Sequence, residues 1–121
     1  MTKLIPTRLA EIGFAFVMAA FGALHFKNAN LPEMQKSLPS YFPGDASTWI
    51  YISGVGFMLT ALAILFNKLK RVASYTLAAM FFVFILVVHL EPAINNYDFY
   101  QPLKDAALAM AAIMIGNNAS K

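Results

Sequence analysis

Three long apolar segments limit what this chain can fold into: residues 9–26, 49–66 and 72–90. A helix needs about 20 mostly apolar residues to cross a bilayer, and roughly 17–25 are tolerated. Each segment therefore predicts one membrane-spanning helix. The first contains Glu11 and is long for a secretory signal, so it is expected to stay as a helix.

A fourth segment, residues 102–116, is shorter and carries Lys104 and Asp105 near its start. At about 1.5 Å per residue it would reach about 22 Å. Its many alanines favour close packing against neighbouring helices, which could cover the mismatch with the bilayer. We therefore predict a single domain over residues 1–121, an all-α four-helix transmembrane bundle.

The composition also indicates a membrane protein. Hydrophobic residues make up 60% of the chain and charged residues 12%, against roughly 45–50% and about 25% in globular domains. The absence of cysteine excludes disulfides and thiolate metal sites. The basic residues are scattered and form no basic face, so the predicted partner is the lipid bilayer and not nucleic acid.

The basic residues predict the orientation, because cytoplasmic loops are rich in lysine and arginine. The short turn at residues 67–71 carries Lys68, Lys70 and Arg71. Placing it inside puts both termini in the cytoplasm, and we expect a multi-pass protein of the bacterial cytoplasmic (inner) membrane. His25 and His89 then both emerge at the outer face.

Glu11 is the acidic residue within the first apolar segment. It follows Arg8 by three residues, a spacing that suits an ion pair on a helix. The main expectation is thus a structural role, and the alternative is proton or substrate handling, since ionisable groups inside membranes are often functional.

The two histidines have three alternative uses beyond an ordinary interfacial position. They could be axial ligands of a b-type haem. They could bind a metal together with Glu91, Glu33 or Asp98. They could also form hydrogen bonds with a quinone or a lipid headgroup. The sequence has no metal-binding spacing such as H-x-x-x-H, so no metal site is assigned.

Aromatic residues are frequent at the predicted outer face. They form either an interfacial belt or a cap over a ligand cavity between the helices. If a small molecule binds there, we expect contacts from His25, His89 and Glu91, packing walls from Trp49 and Tyr51, and a polar contact from Ser53. The aromatic set is Tyr41, Phe42, Trp49, Tyr51, Tyr97, Phe99 and Tyr100.

Four strings occur in an order that resembles the DoxX family of small four-helix membrane proteins: FGALHF at 21–26, LPSYFP at 38–43, YISGV at 51–55 and LKRVASYTLAAMFFVF at 69–84. The matching positions are His25, Phe26, Ser53, Gly54 and Arg71. The resemblance implies an accessory subunit of a quinone-linked membrane redox assembly, more a partner of an enzyme than an enzyme itself.

One position departs from this resemblance. Many relatives carry a glutamate four residues after the serine, where this chain has Phe57. A proton-linked role for that acid is therefore not expected here.

Two alternatives stay open. LAEI at 9–12 and SGVG at 53–56 are similar to strings of small proton-coupled multidrug transporters, although the charged, proline-rich residues 27–47 oppose the extra spanning helix of that layout. The chain could also be a structural or lipid-binding subunit that packs against a larger membrane protein or against a second copy of itself.

Overall fold

The structure, a computed structural model, describes residues 4–119 and is helical, with no strand in that range. Its elements are α1 (Thr7–Asn28), α2 (Pro32–Gln35), α3 (Ala46–Leu65), α4 (Lys70–Val83), a π-helical segment (Phe84–His89), α5 (Leu90–Asn96) and α6 (Tyr100–Asn117). The all-α prediction is confirmed.

Three helical stretches are long and apolar enough to cross a membrane: α1, α3, and the continuous stretch Lys70–Asn96. These are the three segments that the sequence predicts as spans, and they define a multi-pass membrane protein. The fourth segment forms α6, but α6 is not among the helices that satisfy the length and hydropathy conditions for a span.

The helices share one apolar core. α1 packs on α3, α3 on α4, and α4 on α6. The largest fully buried apolar side chains come from α1, α3 and α4, and alanines of α6 close the core against them. These large side chains are Met18, Phe57, Ile64, Leu77 and Phe81.

The contact between α1 and α3 depends on two glycines. A Cβ at Gly22 would lie 3.0 Å from the carbonyl oxygen of Gly54 and 2.9 Å from Cγ of Met58. A Cβ at Gly54 would lie 2.7 Å from the ring of Phe26. The two backbones can approach this closely because neither position carries a side chain.

The third span is longer than predicted. The expected end at residue 90 is wrong, because the helix continues through Pro92 to Asn96. Pro92 is the third residue of α5, which follows the π-helical segment directly, and a missing N–H is tolerated in the first turn of a helix. Tyr97 ends the helix in a left-handed conformation, with φ of 55°.

Candidate functional site

A cavity of about 760 Å3 lies where α1 ends and α3 begins. Its walls come from the last turns of α1, the first half of α3, the π-helical segment and the start of α6. π-Helical turns are rare and are frequently found at functional sites. Most of the lining is apolar or aromatic, and the polar side chains in it are Glu33, Ser37, Ser53, Gln101, Lys104, Asp105 and the two histidines.

The connection between α1 and α3 covers this cavity. Glu33 and Met34 of α2 belong to its lining, as do Phe42 and Pro43 further along. The ring of Phe42 meets Trp49 edge-on with centroids 5.4 Å apart, and Trp49 Nε1 donates a hydrogen bond of 2.8 Å to the Pro43 carbonyl. These contacts fix the connection to the first turn of α3.

Asp105 is the most deeply buried acidic group of the cavity, with 2% of its surface exposed. His89 Nε2 lies 3.2 Å from Asp105 Oδ2. The two atoms are close but not aligned as a hydrogen bond, and Oδ2 has no hydrogen-bond partner. Lys104 Nζ lies 3.9 Å from Oδ1, while it also donates to Gln101 at 2.7 Å and sits over the Phe21 ring.

His25 is held by the helix that carries it. Its Nδ1 lies 2.8 Å from the carbonyl oxygen of Phe21. A carbonyl oxygen only accepts, so Nδ1 carries the proton that it donates. In the neutral ring Nε2 is therefore an acceptor. The ring also meets Phe57 edge-on, with centroids 5.0 Å apart.

The cavity brings together four of the predicted contact residues: His25, His89, Trp49 and Ser53. The Ser53 hydroxyl donates a hydrogen bond of 3.0 Å to the Trp49 carbonyl.

The other two predicted contacts lie outside the cavity lining. The Tyr51 ring stacks on Phe26 with centroids 6.1 Å apart. Glu91 is exposed and borders a smaller pocket of about 310 Å3, together with residues such as Lys36 and Asn95.

The aromatic residues that the sequence predicts at the outer face divide between the two expected roles. Phe42 and Trp49 line the cavity. The others are exposed, as an interfacial belt requires: Tyr41, Tyr51, Tyr97, Phe99 and Tyr100.

The acid that faces His89 is Asp105, and not Glu91, Glu33 or Asp98 as the metal alternative required. From the sequence alone, Asp105 is only a charge near the start of the short fourth segment. The available signal was an acidic residue at the start of an alanine-rich helix, since a carboxylate beside apolar turns usually has a partner or a role. Within residues 4–119 no group of three metal-binding side chains is present.

Glu11 lies at the opposite end of α1 and is buried. It accepts hydrogen bonds from Lys70 at 3.0 and 3.1 Å and from Arg8 at 3.2 Å. Arg8 also donates to the carbonyl oxygens of Ile64 and Leu65, which end α3. Arg8 and Glu11 form the ion pair that their spacing predicts. Lys70 is a further partner of Glu11 that the sequence does not indicate.

Fold and cavity together describe a multi-pass membrane protein with an apolar pocket where α1 ends and α3 begins. The chain belongs to a family described as a domain of unknown function (DUF8561), whose family model matches residues 14–116. Neither the curated proteins nor the solved structures contain a match.

Proposed function

We propose that this protein binds a lipophilic ring molecule of the quinone class in the cavity and acts as a non-catalytic accessory subunit of a membrane redox assembly. The observation that carries the proposal is the aromatic cavity with two histidines and a buried carboxylate in its wall.

The cavity suits a flat ring with an apolar tail. Its volume lies within the roughly 300–1,000 Å3 usual for small-molecule sites. Aromatic rings line it on several sides and can pack against a ligand ring edge-on or offset. Those residues are Phe21, Phe42, Trp49, Phe57, Phe81 and Phe84. A tail of isoprene units can leave between the helices into the lipid.

The accessory role rests on the resemblance to the DoxX family and on the apolar exterior of the helices. Large apolar side chains are exposed along all three spans, for example Phe16, Leu59 and Leu86. In this proposal α6 is a fourth spanning helix, both termini face the cytoplasm of a bacterium, and the cavity lies near the outer headgroups.

Trp49 provides a direct test of ligand binding. It is the single tryptophan of the chain and it lines the cavity. The protein in lipid nanodiscs is titrated with a short-chain ubiquinone, which quenches indole fluorescence on contact. We expect quenching that saturates. A linear rise with quinone concentration, equal to that of a Trp49→Phe/Leu86→Trp variant whose indole faces lipid, contradicts the proposal.

Two neighbouring residues give a matched pair for the same titration. Val87 lines the cavity, whereas Leu86 is 69% exposed. We expect Val87→Phe to fill part of the cavity and weaken saturable quenching at least tenfold, and Leu86→Phe to leave it unchanged. Equal quenching curves for the two variants would show that the quinone does not bind in the cavity.

The accessory role is tested by mild affinity purification from native membranes. A stoichiometric oxidoreductase or cytochrome among the co-purifying proteins supports it. Recovery of the chain alone or as a homo-oligomer removes this part of the proposal and favours a lipid-binding protein.

A further inference from the structure

We infer that the cavity selects ligands with ring hydroxyl groups, so that it binds a hydroquinone in preference to the oxidised quinone. The inference rests on the proposed function for the ring class and adds a selectivity between its two redox forms. It comes from the hydrogen-bonding character of two side chains in the cavity wall, His25 and Asp105.

His25 presents an acceptor to the cavity. Its Nδ1–H donates a hydrogen bond to the Phe21 carbonyl oxygen, at 2.8 Å. Nε2 of the neutral ring then carries a lone pair that can accept a hydrogen bond, and it forms none within residues 4–119. Because Nδ1 stays bonded to the helix, His25 cannot exchange the two nitrogens without losing that bond.

Asp105 presents a second acceptor. As a carboxylate it only accepts hydrogen bonds. Its side chain is 3% exposed, and Oδ2 has no hydrogen-bond partner. A buried carboxylate oxygen without a partner is costly, so a ligand that donates to it gains more than one that does not.

The missing donor is more consistent with a neutral hydroxyl than with an ammonium group. Lys104 Nζ already lies 3.9 Å from Oδ1 of Asp105, which supplies a positive charge on that side. A cationic ligand would meet this lysine at short range and would be repelled. A phenolic hydroxyl brings the donor without a charge, and its ring fits the aromatic walls.

The two redox forms of a quinone differ in this respect. A hydroquinone carries two hydroxyl donors, whereas the oxidised quinone carries only carbonyl acceptors. The oxidised quinone therefore supplies no donor to Asp105 Oδ2 or to His25 Nε2. Oδ2 would keep only the contact with His89 Nε2, which is 3.2 Å away and not aligned as a hydrogen bond.

Isothermal titration calorimetry on the full chain in nanodiscs, with empty nanodiscs subtracted, tests the inference. The probes are trimethylhydroquinone, its oxidised quinone and its dimethyl ether, which share a ring and differ in donors. A hydrogen bond to a charged group contributes about 1.5–3 kcal/mol, so we expect the hydroquinone to bind at least about tenfold more tightly than either other probe.

Two variants test whether Asp105 and His25 cause the preference for the hydroquinone. Asp105→Asn replaces one acceptor oxygen by a donor, and His25→Phe keeps a ring but removes Nε2. Each is expected to reduce the preference for the hydroquinone to within about threefold of the other probes. The comparison of the three probes on the unmodified chain stands even if one variant fails to fold.

The outcomes separate this inference from the proposed function. Equal affinity of the unmodified chain for hydroquinone and quinone, with Val87→Phe weakening both, would overturn the selectivity and keep the quinone site. A preference for the hydroquinone that persists in both variants would overturn the assignment to Asp105 and His25. No saturable binding of any probe would overturn the inference together with the proposed quinone site.

Discussion

Lys70 donates to both carboxylate oxygens of Glu11, at 3.0 and 3.1 Å, across a separation of 59 residues. Arg8 binds the same carboxylate and also the last carbonyl oxygens of α3. The unpaired carbonyls at a helix end need donors, and a cation there is also favoured by the helix dipole. One cluster of three charges thus connects the start of α1, the end of α3 and the start of α4.

Replacing Lys70 by methionine should therefore destabilise the protein strongly. The buried Glu11 would lose its shortest charged partner, and leaving a buried charge partly unpaired typically costs about 3–5 kcal/mol. Arg8 remains, so we expect a loss near the lower end of that range. The measurement is unfolding in mixed micelles with increasing SDS, followed by circular dichroism.

The control is Lys68→Met, two residues earlier in an exposed turn. Exposed substitutions usually change stability by less than about 0.5 kcal/mol. The double variant Glu11→Gln/Lys70→Met should recover part of the loss, because the buried carboxylate is then gone, while the partly exposed Arg8 keeps the carbonyl oxygens of Ile64 and Leu65. Equal unfolding curves for the two lysine variants would show that the ion pair does not stabilise the fold.

Gly22→Ala should separate α1 from α3. The new methyl group would lie 3.0 Å from the Gly54 carbonyl oxygen, which cannot move away without shifting α3. Overpacking of this kind typically costs about 1–3 kcal/mol. The same unfolding assay checks the change.

Gly13 on the same helix gives the matched substitution. A methyl group there would have no atom of another part of the structure within 4 Å. Alanine is a better helix former than glycine, so Gly13→Ala should stabilise the fold by about 0.5–1 kcal/mol. If both alanine variants stabilise, the close approach at Gly22 is not required.

The sequence predicts the three spans because apolar length is a local property, and it predicts the pairing of Arg8 with Glu11 because both lie on one helix. It does not predict Lys70 as a partner of Glu11, since that contact depends on how three helix ends meet. The same holds for His89 and Asp105, which lie on different helices and whose approach is set by the packing of α6 on α4.

The end of the third span differs from its prediction. A proline normally marks a helix boundary, and the predicted end at residue 90 lies just before Pro92. The π-helical segment, a feature without a strong sequence signal, carries the helix past this proline to Asn96. His25, Trp49 and Ser53 could be placed near one another because the predicted topology brings the end of α1 next to the start of α3.

Phe57 lies at the position where the resemblance to the DoxX family would place a glutamate, and its surroundings here are apolar and closely packed. The ring is 2% exposed and contacts the rings of Phe21, Phe81 and Phe84 at centroid distances of 5.6, 5.7 and 6.1 Å. Phe57→Ala should cost about 3–5 kcal/mol, since it removes a buried ring and leaves a void.

Phe82→Ala is the comparison for Phe57→Ala. Phe82 is 41% exposed on the outer surface of α4. Its loss removes the same ring from a surface that lipid can cover, so we expect a cost below about 1 kcal/mol. Because Phe57 also lines the cavity, its alanine variant should in addition change the quinone titration, whereas Phe82→Ala should not.

The membrane orientation leads to a prediction that does not depend on any ligand. The chain contains no cysteine, so single cysteines report their positions without background. Ser40 and Asn95 are exposed at the end of the molecule that holds the cavity, and Lys68 is exposed in the turn between α3 and α4. At about 1.5 Å per residue, the 20 residues of α3 separate these two ends by about 30 Å, the thickness of a hydrocarbon core.

On intact cells a membrane-impermeant maleimide should label Ser40→Cys and Asn95→Cys, and should label Lys68→Cys only after the membrane is opened. Labelling of Lys68→Cys alone on intact cells would show that the orientation is the opposite of the proposed one. Labelling of Ser40→Cys without Asn95→Cys would contradict the proposal that the cavity lies at one membrane face.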